Sequence, residues 1–188
     1  MYISKQYLNE LTQKKILNED KLFIKDHATK IRENYDIFLS YSYHDKEFAI
    51  KLVQLLEKHG FSVYIDLNDN SFDRNNVNGT TAKILAKKMD KCKSLIYLYS
   101  RASSVSKWCP WELGYVSGKK NFRCAKIPLV QNNNDQNYDK QEYLEIYPTI
   151  DLAKPQNSNE FTLWVNETNE KYIELIKWIN GENPVFHS

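Results

Sequence analysis

The stretch Tyr35-Asp36-Ile37-Phe38-Leu39-Ser40-Tyr41-Ser42-Tyr43-His44-Asp45 decides the fold. Its first seven residues are apolar without clean alternation, the pattern of a strand buried on both faces. Ser42 to Asp45 then turn the chain. A helix follows from about Lys46 to His59, with Phe48, Leu52, Leu55 and Leu56 at helical spacing and Gly60 where a C-terminal cap belongs. Phe61 to Asp66 reads as a second strand. Strand, helix and strand in such short order build a mostly parallel sheet with helices on both faces.

The pattern continues outward from there. Leu67 to Gly79 is a long polar loop, and loops of that length tend to carry function. Thr80 can cap a helix to about Lys91, with Ile84, Leu85 and Met89 facing inward. Ser94 to Tyr99 is a third buried strand, Ser106 to Lys120 a helix, and Cys124 to Val130 a fourth strand. Pro128 places that strand near its end or on an exposed edge. A polar loop over 131–142 precedes a short fifth strand at Tyr143 to Tyr147. Glu167 to Asn180 is expected to be a closing helix, with Tyr172, Ile173, Ile176 and Ile179 inward. Phe161 to Val165 is either a strand or a docking segment. Ahead of the first strand, Tyr7, Leu8 and Leu11 share one helical face, and Leu22, Phe23 and Ile31 part of another. Residues 1–34 are therefore a helical extension, either packed on the domain or serving as an oligomerisation or partner-docking arm. Residues 35–188 form the main α/β domain.

Composition excludes several function classes. The chain has 188 residues, with 41% hydrophobic and 13% aromatic content, enough for a real core. Its 26 basic and 24 acidic residues nearly cancel, so no nucleic-acid partner is expected. Cys92, Cys109 and Cys124 form no C-x-x-C pair, which argues against a disulfide framework and a zinc site. The start lacks the apolar run of a signal peptide, and no run approaches the ~18 apolar residues of a membrane span. A cytoplasmic location, no membrane partner and no metal are the expectations. Neither a P-loop nor a G-x-G-x-x-G is written among the five glycines. Ser42, His44 and Asp45 are too close in sequence for a hydrolase triad and read as a turn.

If the strand order is 2-1-3-4-5, it reverses between the first and third strands, and ligands bind beyond the carboxyl ends of strands at such a point. The first strand ends at Ser40-Tyr41-Ser42. The third leads into the helix of Ser106-Lys107-Trp108-Cys109-Pro110-Trp111-Glu112-Leu113-Gly114-Tyr115. Pro110 is acceptable only in a first turn, so the helix starts between Ser106 and Cys109. Glu112 then falls in the first turn. Trp108, Glu112 and Tyr115 share one face, while Trp111 and Leu113 point elsewhere, toward the core. Glu112 is either a catalytic carboxylate or an ordinary helix-start acid.

The chain resembles the bacterial TIR (Toll/interleukin-1 receptor) domains. The matching blocks are Tyr35 to Ser42 with Asp45-Lys46, Gly60 to Asp66, Asp73 to Val77, and Ser106 to Gly114. They cover about residues 35–150. The resemblance implies a flavodoxin-like fold and, for the NAD-cleaving members, a catalytic glutamate on the helix after the third strand, which here is Glu112. It implies that Ser40, Tyr41 and Ser42 line the cleft under the 67–79 loop, with Trp108 and Tyr115 walling the substrate. Arg74 is either a phosphate contact or a solvated loop arginine, and Asp66 either a site residue or a turn residue. NAD is then the substrate, with no cofactor, yielding ADP-ribose or a cyclic ADP-ribose isomer as a signal in antiphage defence. Homo-oligomers, and a downstream effector sensing the product, are further family expectations. The competing readings are a non-catalytic TIR scaffold and an enzyme like the nucleoside deoxyribosyltransferases, which share a related fold and a glutamate nucleophile.

Overall fold

The computed structural model describes residues 1–14, 32–67, 79–132, 141–156 and 158–187. The first strand, β1 (Tyr35–Ser40), lies inside a single sheet between β2 (Val63–Tyr64) and β3 (Cys92–Tyr99), parallel to both. Beyond β3 come β4 (Cys124–Pro128) and β5 (Thr149–Ala153), also parallel. This is the expected order, 2-1-3-4-5. Three further strands, β6 (Thr162–Asn166), β7 (Lys171–Glu174) and β8 (Val185–Phe186), extend the sheet antiparallel to eight strands.

Burial on two faces explains the unbroken apolar runs. Ile37 and Leu39 of β1, with Ile96 and Leu98 of β3, enter one core. Phe38, Leu95, Tyr97 and Tyr99 enter a second core on the opposite face. The first core is closed by the helices α1 (Lys5–Gln13) and α2 (Lys46–Lys58), the second by α3 (Gly79–Asp90), α4 (Arg101–Ser104) and α5 (Trp108–Lys119). The first core runs on under β5, β6 and β7 through Ile150, Leu152, Leu163, Val165 and Ile173. In β5 and β6 burial alternates strictly, as expected where one face stays open to solvent.

Gly60 stops α2 as its position suggested. It takes φ +89, while Phe61 N–H bonds the Leu56 carbonyl at 3.2 Å and Gly60 N–H the Glu57 carbonyl at 2.9 Å. That pair of bonds is a Schellman ending, which needs the left-handed residue glycine supplies.

Three expectations are corrected. Tyr143 to Tyr147 is not a strand: Glu142–Leu144 is a 3-10 turn, with Leu144 and Tyr147 buried and Tyr143 and Ile146 exposed. Buried positions three apart follow the 3-10 period, not alternation. The fifth strand begins after Pro148. The closing helix over 167–180 is reduced to α6 (Leu175–Ile179), because Tyr172 and Ile173 are paired with Asn166 and Val165 in a hairpin. Ile173 and Ile179 are buried as expected, but Ile176, expected inward, is 49% exposed, and Leu175 and Trp178 fill the core beside Ile179. Third, the sheet has eight strands rather than five. Phe161 to Val165 resolves into a strand, β6.

At the start of the chain, Ser4 caps α1 through Tyr7 N–H at 3.2 Å. Ile3 and Leu8 sit inside the first core, with Tyr7 and Leu11 packed on it. Lys5 N–H bonds the Val130 carbonyl at 3.0 Å, and Lys51 on α2 reaches Asn9 at 2.7 Å. The second expected helical face, Leu22 to Ile31, lies outside the described residues. Because Leu8 is fully enclosed, Leu8→Ala should cost about 2–5 kcal/mol in urea unfolding, as a core leucine does. A loss below about 1 kcal/mol would mean that α1 is not part of the cooperative core.

Candidate active site

The exits of β1 and β3 diverge. From β1 the chain passes to α2, whose Ala49, Leu52 and Leu56 join the first core. From β3 it passes to α4 and α5, whose Cys109, Leu113 and Val116 join the second. Neighbouring parallel strands that leave toward opposite faces open a crevice at their carboxyl ends. Glu112 is held in this crevice.

The α5 helix starts where its sequence directs. Ser106 Oγ accepts from Trp108 N–H at 3.2 Å and Cys109 N–H at 3.4 Å, meeting two of the orphan donors of a helix start. Pro110 is the third helical residue, where no N–H is needed. Glu112 is the fifth, one step beyond the first turn in which it was expected. The helix dipole alone therefore does not account for it. Its carboxylate is only 6% exposed, and Ser40 Oγ donates to Glu112 Oε2 at 2.6 Å. An ordinary helix-start acid is solvated. A buried carboxylate must be hydrogen-bonded, and a short charge-assisted bond from a buried hydroxyl does this.

The other anticipated residues divide. Ser40 joins Glu112 directly. Tyr41 is buried, and its hydroxyl donates to the Asp66 carbonyl at 2.6 Å, so it ties the exit of β1 to that of β2. Lys46 adds a second tie, to the Leu67 carbonyl at 3.0 Å. Ser42 is buried, and its carbonyl accepts from Asp45 N–H at 2.8 Å in a 3-10 turn. Asp66 takes part through its backbone at the edge of the 68–78 loop. Arg74, with the rest of that loop, lies outside the described residues. Trp108 is 9% exposed, and its indole Nε1 has no hydrogen-bond partner among the described residues. A buried donor without an acceptor costs about 1–3 kcal/mol, so this N–H is a candidate for a bond supplied by a ligand.

Tyr115 does not close over Glu112. Its hydroxyl donates to Asp90 at 3.0 Å and receives Lys119 at 2.9 Å, turning it toward the end of α3. Lys119 in turn holds the Asp90 carboxyl below the usual carboxylate range, with a smaller opposing push from burial. Trp111 is not core. It is 36% exposed and lies between Trp108 and Tyr115, with ring centroids at 5.5 and 5.7 Å. The i, i+3, i+7 spacing makes these three rings a ladder along the outer face of α5. Leu113 is buried as expected.

Two residues escaped the sequence reading. Asp45 is 7% exposed, and its carboxylate accepts from Ser100 Oγ at 2.5 Å. Both sit at the mouth of the crevice, one after β1 and one after β3. An Asp three residues past Ser42, at the end of the first strand, was the only local hint, and it was absorbed into a turn.

Elsewhere, a groove of about 810 Å³ opens on the bare face of β5–β7, lined by Asp151, Trp164, Asn166 and Tyr172. It contains neither Glu112 nor Ser40, and its size does not outweigh the buried carboxylate at the crevice. The three cysteines are free and buried, and burial pushes the Cys92 thiol up to about 12 and that of Cys124 to about 11. Among the described residues there is no group of His, Cys, Asp and Glu that could hold a metal, and no helix long and apolar enough to cross a membrane.

Known proteins resemble this chain over most of its length. The chain is 38% identical over 146 residues to a Bacillus cereus (strain MSX-D12) protein named as a probable 3′ cyclic ADP-D-ribose synthase, ThsB′, covering 77% of this chain and 75% of that one. It is 27% identical over 114 residues to a Cytobacillus dafuensis protein named, again provisionally, as cyclic ADP-D-ribose synthase TIR2, covering 59% of this chain and 30% of that protein. Residues 37–164 match the family model described as the TIR domain, and the chain belongs to that family.

Proposed function

We propose that this protein cleaves NAD, releasing nicotinamide and closing the remaining ADP-ribose into a cyclic isomer. The observation that carries the reading is the buried Ser40–Glu112 pair at the strand-order reversal. The relatives named as cyclic ADP-D-ribose synthases support the product class.

The chemistry suits one carboxylate. Nicotinamide in NAD carries a positive charge and leaves neutral, taking the electron pair of the C1′–N bond, so no general acid is required. Positive charge then develops on the ribose ring. A fixed carboxylate beside it stabilises that charge, as in glycosidases, and the gain is electrostatic. Ser40 Oγ holds Glu112 Oε2 and so fixes the direction in which the carboxylate faces the sugar. Trp108 offers an aromatic wall and the indole N–H. The acceptor decides the product: its oxygen bonds C1′ as the C1′–N bond breaks and its O–H proton passes to Glu112 or to solvent, so water gives ADP-ribose, whereas a hydroxyl of the same molecule gives a ring. Exclusion of water from the reacting ribose would favour the internal hydroxyl. Ser42, Tyr41, Asp66 and Arg74 complete the proposed substrate-binding set, Tyr115 only as part of the outer ring ladder. No cofactor enters the reaction. The protein is proposed to act in the cytoplasm as a homo-oligomer, its product serving as an antiphage signal to an effector.

Incubation with NAD, with products followed by mass spectrometry, tests this. Wild-type protein should release nicotinamide with a matching quantity of cyclic product. Glu112→Gln should lower turnover about 10²–10³-fold, the usual cost of removing one preorganised electrostatic group. Undiminished release by that variant would end the proposal. Trp108→Phe should raise the KM for NAD several-fold, with a loss of Tm no larger than the smaller buried ring explains, because the lost N–H has no partner among the described residues. A loss of Tm with unchanged KM would make Trp108 a packing residue only.

A further inference from the structure

We propose that Asp45 is a positioning residue, which aims the helix carrying Glu112 by gripping Ser100 across the mouth of the crevice. The inference rests on the NAD-cleavage reading for its activity readout, and on geometry for everything else.

Asp45 occupies the N-cap of α2, where an aspartate normally accepts from the first N–H groups of its own helix. It makes no such bond. Its carboxylate turns away and accepts instead from Ser100 Oγ, 55 residues later in the chain. An N-cap that gives up its own helix for a distant serine is held for the distant contact.

Ser100 passes this constraint on. Its hydroxyl donates to Asp45 and accepts from Ser103 N–H at 3.0 Å, so its proton and lone pair both have fixed directions. Ser103 Oγ accepts from Ser100 N–H at 2.8 Å, completing a capping box at α4. Ser106 N–H then bonds the Ser103 carbonyl at 3.2 Å, and Ser106 Oγ caps α5. Asp45, Ser100, Ser103 and Ser106 therefore form a relay of short contacts from the exit of β1 to the first turn of α5. Glu112 lies one turn further on. The Ser40–Glu112 bond joins the same two elements from inside the sheet. With both ties in place, α5 is fixed against β1 at two points. With only one, it can pivot about Ser40, and a carboxylate displaced by even 1 Å loses much of its effect on a developing charge.

The test uses full-length protein and steady-state kinetics with NAD. Asp45→Ala and Ser100→Ala should each lower kcat at least tenfold with KM changed less than threefold. The double variant should be no worse than the poorer single, since both remove one contact. Asp45→Asn, which still presents an oxygen to Ser100, should recover most of the turnover lost in D45A. A kcat within twofold of wild type in folded D45A and S100A, losses carried by KM, or losses that multiply would each overturn the proposal. If D45A does not fold, S100A, which removes one half-buried hydroxyl, decides the kcat question alone. Hydrogen–deuterium exchange is read without substrate. Faster exchange over residues 101–113 in D45A, which leaves the Ser100 cap of α4 in place, with β1 and β3 unchanged, is expected, and unchanged exchange there overturns the proposal. Wild-type protein that leaves NAD intact would refute the functional reading, and the exchange result would then settle the positioning role by itself.

Discussion

A carboxylate that is almost wholly enclosed has to be held by something, and for Glu112 the holder is Ser40 Oγ at 2.6 Å. Much of the architecture can be understood from that bond. Ser40 is the last residue of β1, so its side-chain direction is fixed by the ladders to β2 and β3. Glu112 sits on α5, which packs into the second core through Cys109, Leu113 and Val116. The bond thus joins the middle of the sheet to a helix on one face, at the point where the strands part. Breaking it would leave a charge buried with one partner fewer, a penalty of about 1–3 kcal/mol or more for a charged group.

The sheet is built unevenly, and the unevenness separates function from support. Between β2 and β4 both faces are covered, and the strands are mostly apolar. From β5 onward only one face is covered, and polar residues such as Asp151 and Asn166 alternate with the core. The crevice belongs to the fully buried half, where an electrostatic interaction is least weakened by water. The antiparallel half adds area to the first core and gives α1 something to pack against: Leu152 N–H bonds the Met1 carbonyl at 3.0 Å.

How far the sequence spoke depends on whether a signal was local. The parallel half was legible because β1, β3 and β4 are short apolar runs separated by helices of clear period, with Gly60 marking one stop. The helix start at Ser106 to Cys109 was legible from Pro110 alone. The antiparallel half was not, because a strand of Tyr172 and Ile173 and a helical face of the same residues look alike until the partner strand is known. Trp111 was misplaced for a related reason: helical spacing tells which residues share a face, but not whether that face meets the core. Tyr115 shares the face of Glu112 but is drawn aside by Asp90, a residue 25 positions away. Arg74 lies outside the described residues. Asp45 was the largest omission, since nothing within four residues of it indicates a bond to Ser100.

That omission bears on how such a site is put together. Catalysis by one carboxylate requires little chemistry from the protein but strict placement of one charge. The residues that achieve placement need not touch the substrate, and here they are mostly serines at helix starts: Ser100 at α4 and Ser106 at α5, with Ser40 at the end of β1. A serine at a helix start looks like routine capping in a sequence. What distinguishes Ser100 is that its hydroxyl is engaged at both ends, by a backbone N–H of its own turn and by a carboxylate from another element. Capping satisfies α4 locally, and the Asp45 bond converts that local cap into a connection across the crevice. The same side chain therefore contributes to helix geometry and to the placement of Glu112, which is why helix-capping rules alone account for only half of its contacts.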